Sequence, residues 1–196
     1  MKNLKGTKTA ENLLKSFAGE SQARNRYTFY ASIAKKEGFV QIQNLFLETA
    51  DNEKEHAKRF FKFLADSDLN GTALAINDAG YPIALGTTKE NLLAAAAGEH
   101  EEWTELYPAF ADVAEAEGFT DIAFVYRKIA EVEKKHEDRY NKLADNVEKG
   151  EVFSKSEVTL WKCNNCGYIY EGKEAPAACP ACAHPQAYFE VFVQTY

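Results

Sequence analysis

Glu53-Lys54-Glu55-His56 and Glu133-Lys134-Lys135-His136 decide how this chain is read. Each places a glutamate three residues before a histidine, within a stretch whose apolar residues recur every three or four positions. Residues i and i+3 share a helix face, so each stretch presents a carboxylate beside an imidazole. A Glu-x-x-His on each of two helices is a ligand pattern for a metal held inside a helix bundle.

Working outward, the spacing predicts four helices. The first runs from about Thr9, a candidate N-cap, to Lys36, with an inward stripe of Leu13, Phe17, Glu20, Arg24, Tyr27, Ala31 and Ala34 and a stop at Gly38. The second runs from Val40 to Ala65 and carries Ile42, Phe46, Thr49, Glu53, His56, Phe60 and Leu64 inward. Residues 66–87 hold breakers and no sustained period, and so read as a long crossover between helices. The third helix opens on a Thr87/Glu90 capping box, runs to about Glu117 and turns Leu92, Ala96, Glu99 and Glu102 inward. The fourth carries Ile122, Val125, Ile129, Glu133, His136, Tyr140 and Leu143 and ends at Lys149-Gly150.

The two helix pairs are a repeat. Glu37-Gly38-Phe39 matches Glu117-Gly118-Phe119 at an offset of 80, and Glu53, His56, Arg59 and Tyr27 match Glu133, His136, Arg139 and Tyr107 at the same offset. Gly19-Glu20 matches Gly98-Glu99 at 79. One residue has therefore entered between Glu99 and Tyr107. A single insertion in a helix is commonly absorbed as a π-bulge, and Pro108 has no N–H to give the carbonyl of Thr104, so a bulge or kink is expected within 99–108.

Seven polar residues thus point inward: Glu20, Glu53, His56, Glu99, Glu102, Glu133 and His136. Buried carboxylates in that number are tolerable only if neutralised, and a pair of metal ions neutralises them. Five carboxylates carry a charge of about −5, between the totals for two divalent and two trivalent ions, which suits redox cycling; oxygen-rich ligation with two imidazoles favours iron or manganese. Glu102 exceeds the one-Glu-per-helix pattern and reads as an extra ligand for one metal. His100 faces away and is expected in solvent. Tyr27 and Tyr107 are either core aromatics or hydrogen-bond donors to ligating carboxylates.

Residues 151–158 read as a linker between a bundle spanning 1–150 and a small β-rich unit spanning 159–196. All four cysteines lie in that unit, as Cys163-x-x-Cys166 and Cys179-x-x-Cys182, a spacing that fits a tetrahedral S₄ site for iron or zinc. The 196 residues, 45% hydrophobic, suffice for such a core. A net charge of −7 disfavours nucleic acid and anionic membranes as partners. With no secretory signal or apolar span visible, a soluble cytoplasmic protein is expected.

Cys166-Gly167-Tyr168 and Cys179-Pro180-x-Cys182 resemble the two knuckles of rubredoxin, except that the segment between the pairs is short and Ala183 stands where glycine is usual. Together with Ala18-Gly19-Glu20-Ser21-Gln22-Ala23-Arg24-Asn25-Arg26-Tyr27, the two Glu-x-x-His helices and Ala97-Gly98-Glu99-His100-Glu101-Glu102, they make the whole chain resemble the rubrerythrins. The resemblance implies a mainly α protein: a ferritin-like four-helix bundle with a long crossover and a C-terminal rubredoxin-like domain. It implies two iron ions bridged by Glu53 and Glu133, with Glu20 a terminal ligand of the first and Glu99 and His136 of the second. Glu102 and His56 would alternate at the first iron, and a further iron would sit on Cys163, Cys166, Cys179 and Cys182, with zinc or manganese as possible substitutes.

The activity implied is reduction of hydrogen peroxide to water in an anaerobe under oxidative stress. Electrons would come from NADH through separate redox proteins, a rubredoxin or an NADH-dependent reductase. The alternatives are a ferroxidase or iron-handling protein, or an electron carrier whose tail binds iron or zinc. From His136 to Lys149 is about 20 Å of helix, so a head-to-tail homodimer, one subunit's tail on the other's bundle, is expected.

Overall fold

The computed structural model describes residues 2–196. Helix α1 spans Lys8–Lys36 and α2 spans Val40–Ala65. After the crossover come α3 (Thr88–Glu101), a π-helical segment (Glu102–Leu106), α4 (Tyr107–Ala116) and α5 (Thr120–Glu148). The third predicted helix is therefore one rod with a π segment inside it. There the Tyr107 N–H bonds to the carbonyl of Glu102, one residue further back than an α-helix allows. The expected irregularity within 99–108 is present.

α1 pairs with α2, and the α3–α4 rod pairs with α5, giving two hairpins. Their turns are copies. Gly38 and Gly118 adopt φ of 87° and 86°, and the N–H groups of Phe39 and Phe119 reach back to the carbonyls of Ala34 and Ala114 at 2.8 and 2.7 Å. A residue with a Cβ is strained at that φ, which is why glycine ends both helices.

The residue before each of these glycines caps the other hairpin. Glu117 accepts from the backbone N–H groups of Lys8 and Thr9 at 3.0 and 2.8 Å and from the Thr9 hydroxyl at 2.6 Å, and Glu37 accepts from the Thr88 N–H at 3.0 Å. A carboxylate beside free N–H groups at a helix start is stabilising. The N-cap of α1 is Thr7, not Thr9: Thr7 accepts from the Ala10 N–H, while Thr9 is committed to Glu117. The Thr87/Glu90 capping box forms as expected.

The bundle core divides into two apolar clusters. One is built around Tyr27, Tyr30, Phe46 and Tyr140, the other around Leu13, Phe60, Tyr107 and Tyr126. Glu20, Glu53, Glu99, Glu133 and His136 are buried within the same bundle.

The C-terminal part is a three-stranded antiparallel sheet in the order β2-β1-β3: β1 Ser154–Cys163, β2 Ile169–Glu174 and β3 Phe189–Val191. β1 begins at Ser154, so most of the stretch 151–158 expected as a linker is strand. Ser154 pairs with Glu174 and the Ala175 N–H closes onto Phe153, which recruits the segment into the sheet through a bulge before Thr159. Trp161 and Phe189 fill this small core. The sheet rests on the α1–α2 turn, where Phe153 stacks on Phe39 with ring centroids 6.1 Å apart. Among the described residues, no helix is long and apolar enough to cross a membrane.

Candidate metal centre

Two overlapping groups of potential ligands meet inside the bundle: Glu20, Glu53, His56 and Glu133, and Glu53, Glu99, Glu133 and His136. Within each group the ligand atoms lie within 4.8 Å of one another. Glu53 and Glu133 belong to both, and their oxygens are divided. His56 Nδ1 stands 2.9 Å from Glu53 Oε2 and 2.9 Å from Glu133 Oε1, while His136 Nδ1 stands 3.2 Å from Glu53 Oε1 and 2.8 Å from Glu133 Oε2. Each imidazole has one further carboxylate beyond: Glu20 at 4.0 Å for His56 and Glu99 at 3.8 Å for His136. The sequence repeat becomes a local pseudo-twofold, with one carboxylate from each hairpin shared between the two groups.

These atoms are crowded without being satisfied. Glu20 Oε2, Glu53 Oε1, Glu99 Oε2, both oxygens of Glu133 and His136 Nδ1 are buried and lack a hydrogen-bond partner. Buried polar atoms are seldom left so. Proximity without hydrogen-bond geometry is the mark of atoms converging on a common centre, so this donor set fits a pair of cations. The electrostatics agree. Burial and the neighbouring Glu102, Glu53 and Glu133 push the Glu20 carboxyl well above its usual range, and burial with Glu53 pushes Glu99 up to about 8. Burial works the same way on Glu53, yet the two histidines outweigh it and hold it down to about 2. Burial lowers the two imidazoles, but their carboxylate partners raise His56 to about 10 and His136 to about 12. Such a set balances only by sharing protons or by binding positive ions.

Tyr27 and Tyr107 resolve as donors. The Tyr27 hydroxyl donates to Glu99 Oε1 at 2.5 Å, and that of Tyr107 donates to Glu20 Oε1. In Glu99 the tyrosine occupies Oε1 and leaves Oε2 toward His136, while in Glu20 the oxygen that accepts from Tyr107 is also the one nearest His56, and Oε2 is buried without a partner. Burial first, then Glu99 for Tyr27 and Glu102 followed by Glu20 for Tyr107, hold both phenols well above their usual pKa, so each keeps its proton.

Glu102 lies outside both ligand groups. It opens the π segment, half-buried, and its carboxyl is pushed well up by burial and by Glu99. Its counterpart in the repeat is Ala23, so only the second hairpin carries a spare carboxylate. The next residue anchors the segment: the Trp103 indole N–H donates to Glu137 Oε2 at 2.5 Å, and His100 Nδ1 meets Glu137 Oε1 at 3.1 Å. His100 is exposed as expected, but it is paired.

A second centre closes in the tail. The sulfurs of Cys163 and Cys182, and those of Cys166 and Cys179, are 3.7 Å apart, and all four cysteines are free. A tetrahedron with metal–sulfur bonds of ~2.3 Å has edges of roughly 3.8 Å, so the cage fits one tetrahedral ion. Backbone N–H groups of Tyr168 and His184 are directed at Cys166 and Cys182, and the second helps bring the Cys182 thiol down to about 6. Gly167 and Ala183 follow the two knuckles with φ of 79° and 59°. Ala183 therefore carries the strain expected of a non-glycine residue there.

Comparison with known proteins agrees with both centres. Residues 11–144 match the Rubrerythrin family model, and residues 161–190 match the model described as Rubrerythrin, rubredoxin-like domain. The chain belongs to the rubrerythrin family. It is 65% identical to Rubrerythrin-1 of Clostridium acetobutylicum over 196 residues, covering 100% of both chains, and 65% identical to a rubrerythrin of Clostridium perfringens over 197 residues, again covering 100% of both. Among solved structures, a partially reduced nigerythrin superposes with a TM-score of 0.64 at 28% identity, over 97% of this chain and 92% of that one. As in other rubrerythrins, then, the cofactors are a di-iron centre in a ferritin-like bundle and a Cys₄ site in the tail.

Some residues around the rubrerythrin centre escaped the sequence reading. Glu137 sits one position past His136 in the fourth helix, where periodicity gave no hint that it would anchor the opposite rod. The crossover residues 78–82 were read only as connection, yet they border a cavity that reaches Tyr27, Glu102 and Tyr107. The Gly80-Tyr81-Pro82 turn was the available signal.

Proposed function

We propose that this protein is a peroxidase that reduces hydrogen peroxide to water, with electrons entering through the Cys₄ site. One observation carries the reading: a single chain joins two carboxylate–histidine groups sharing Glu53 and Glu133 to a separate four-cysteine cage. Peroxide reduction consumes two electrons and two protons for each O–O bond broken. A di-iron pair held by the Glu and His groups would be able to supply both electrons, and an iron held by Cys163, Cys166, Cys179 and Cys182 would carry one at a time.

In this reading Glu53 and Glu133, common to both groups, would be shared by the pair, Glu20 would serve the first ion, and Glu99 with His136 would serve the second. His56 stands in the first group and Glu102 stands outside it, so the two are suited to alternate there as the oxidation state changes. Tyr107 and Tyr27 fix the orientation of Glu20 and Glu99, and the two apolar clusters keep bulk water from the bridging carboxylates. The spare carboxylate and the bulge that carries it make the two positions inequivalent.

The tail rests at the α1–α2 turn, and Phe39 is about 20 Å of helix away from Glu53. Such a distance supports a head-to-tail homodimer in which a partner's tail serves each bundle. The donor to the tail is a soluble redox protein, a rubredoxin or an NADH-dependent reductase.

The test mixes reduced protein with peroxide and compares it with Cys163→Ser. Rapid oxidation of the di-iron site in both proteins is expected, with sustained donor-driven turnover only in the unaltered one. Oxidation by dioxygen as fast as by peroxide would point instead to a ferroxidase. Full turnover by a protein that sediments as a monomer would remove the dimer.

A further inference from the structure

A cavity of about 320 Å³ lies beside the candidate di-iron site. Its inner wall is Tyr27, Tyr107 and Glu102, and its outer wall includes Tyr81, Leu106 and Phe110. Crossover residues 78–82 cover it and are tied to α1: the Tyr81 hydroxyl donates to the Lys15 carbonyl at 3.1 Å, and Lys15 Nζ donates to the Asp78 carbonyl at 3.2 Å. An apolar cavity of ~150 Å³ takes a benzene ring, and a water molecule's share of the liquid is ~30 Å³. The space is therefore far larger than hydrogen peroxide requires.

The repeat supplies a second observation. Gly19 and Gly98, the residues before the equivalent ligands Glu20 and Glu99, both border this cavity. Glycine inside a helix costs about 1 kcal/mol relative to alanine, so such a position usually has a packing or functional reason. Here a Cβ on Gly19 would stand 3.6 Å from Tyr81 Cε1, and one on Gly98 would stand 3.9 Å from Arg26 Nη2. Any larger side chain would project into the space. Arg26 also borders the cavity.

We infer that this cavity receives the organic substituent of a hydroperoxide, so that alkyl or aryl hydroperoxides are substrates alongside hydrogen peroxide. The inference rests on the peroxidase reading. The O–O bond of ROOH breaks, two electrons from the di-iron site and two protons from solvent are taken up, and ROH and water leave. The electrons are replaced one at a time through the Cys₄ site by the same external donor.

The experiment uses the iron-loaded full chain, cumene hydroperoxide as substrate and its product, 2-phenyl-2-propanol, as an unreactive probe. Isothermal titration calorimetry is expected to show one alcohol site per chain, and the donor-linked assay is expected to show turnover of both peroxides. Gly98→Leu and Gly19→Leu, which fill the cavity from opposite helices, should each weaken alcohol binding. Each should also lower the ratio of kcat/KM for cumene hydroperoxide to that for hydrogen peroxide by about tenfold or more. Turnover of hydrogen peroxide with neither alcohol binding nor cumene hydroperoxide turnover would overturn the inference alone. Alcohol binding unchanged in both glycine variants would overturn the assignment to this cavity. Failure to reduce either peroxide, with the alcohol still bound, would overturn the peroxidase reading and the organic substrate with it.

Discussion

Trp103 and Glu137 are joined across the two helices of the second hairpin: the indole N–H at the second position of the π segment donates to the carboxylate next to His136. The bond ties the bulge to the helix that carries a Glu-x-x-His motif. Trp103→Phe keeps an aromatic side chain and removes the donor. Its expected cost is about 1 kcal/mol, a fall in Tm of ~2–4 °C for a chain of this size, measurable by circular dichroism. An unchanged Tm would mean that the bulge is held by backbone alone.

Tyr107 and Tyr27 play equivalent parts for Glu20 and Glu99. Removing a partner that orients a ligand commonly costs 10–100-fold in metal affinity. Tyr107→Phe and Tyr27→Phe are each expected to weaken metal binding by about that factor, read by ferrous or cobaltous titration. Affinity equal to that of the unaltered protein would reduce both tyrosines to packing residues.

Metal loading should release protons. In the metal-free protein Glu99, His56 and His136 hold protons up to about pH 8, 10 and 12 respectively. At neutral pH all three are protonated and must give up that proton to act as ligands. Affinity is therefore expected to rise with pH through neutrality, and a pH-stat should record proton release on addition of metal. Uptake of protons, or affinity flat between pH 6 and about 8, would contradict this.

Glu117 should couple the start of α1 to pH. Burial raises its carboxyl, but the Thr9 hydroxyl and the backbone N–H groups of Thr9 and Lys8 outweigh it and lower the pKa. A depressed carboxyl contributes stability that is present above its unfolded value and lost as pH falls through the folded one. The stability gap between the unaltered protein and Glu117→Gln is expected to be widest near neutrality and to narrow in acid, as read by urea unfolding at several pH values. A gap that widens in acid would have the wrong sign.

Much of this was legible in the chain itself. Periods of three and four residues placed α2 at Val40–Ala65 and turned Glu53 and His56 to one face, because helical geometry is set locally. The mismatch between offsets of 79 and 80 marks the place of the bulge, since a helix has few ways to absorb one residue. The two Cys-x-x-Cys pairs closed into a cage because knuckle geometry is also local. The start of α1 and the extent of the linker were misjudged where a distant partner decided the matter. Glu117 took Thr9, and Glu174 took Ser154.

The sequence by itself determined most of the inward stripe, with Phe17, Arg24 and Val125 only partly buried, that the inward carboxylates required positive ions, and that the hairpins were copies with one inserted residue. Tertiary structure alone decided how those copies meet. It divided the oxygens of Glu53 and Glu133 between His56 and His136, aimed each tyrosine at the other hairpin's carboxylate, set Glu102 outside the ligand groups and laid residues 78–82 over a cavity. The physical reason is range: side-chain periodicity follows from backbone geometry within one helix, whereas each of these relationships joins elements whose positions depend on packing across the whole bundle.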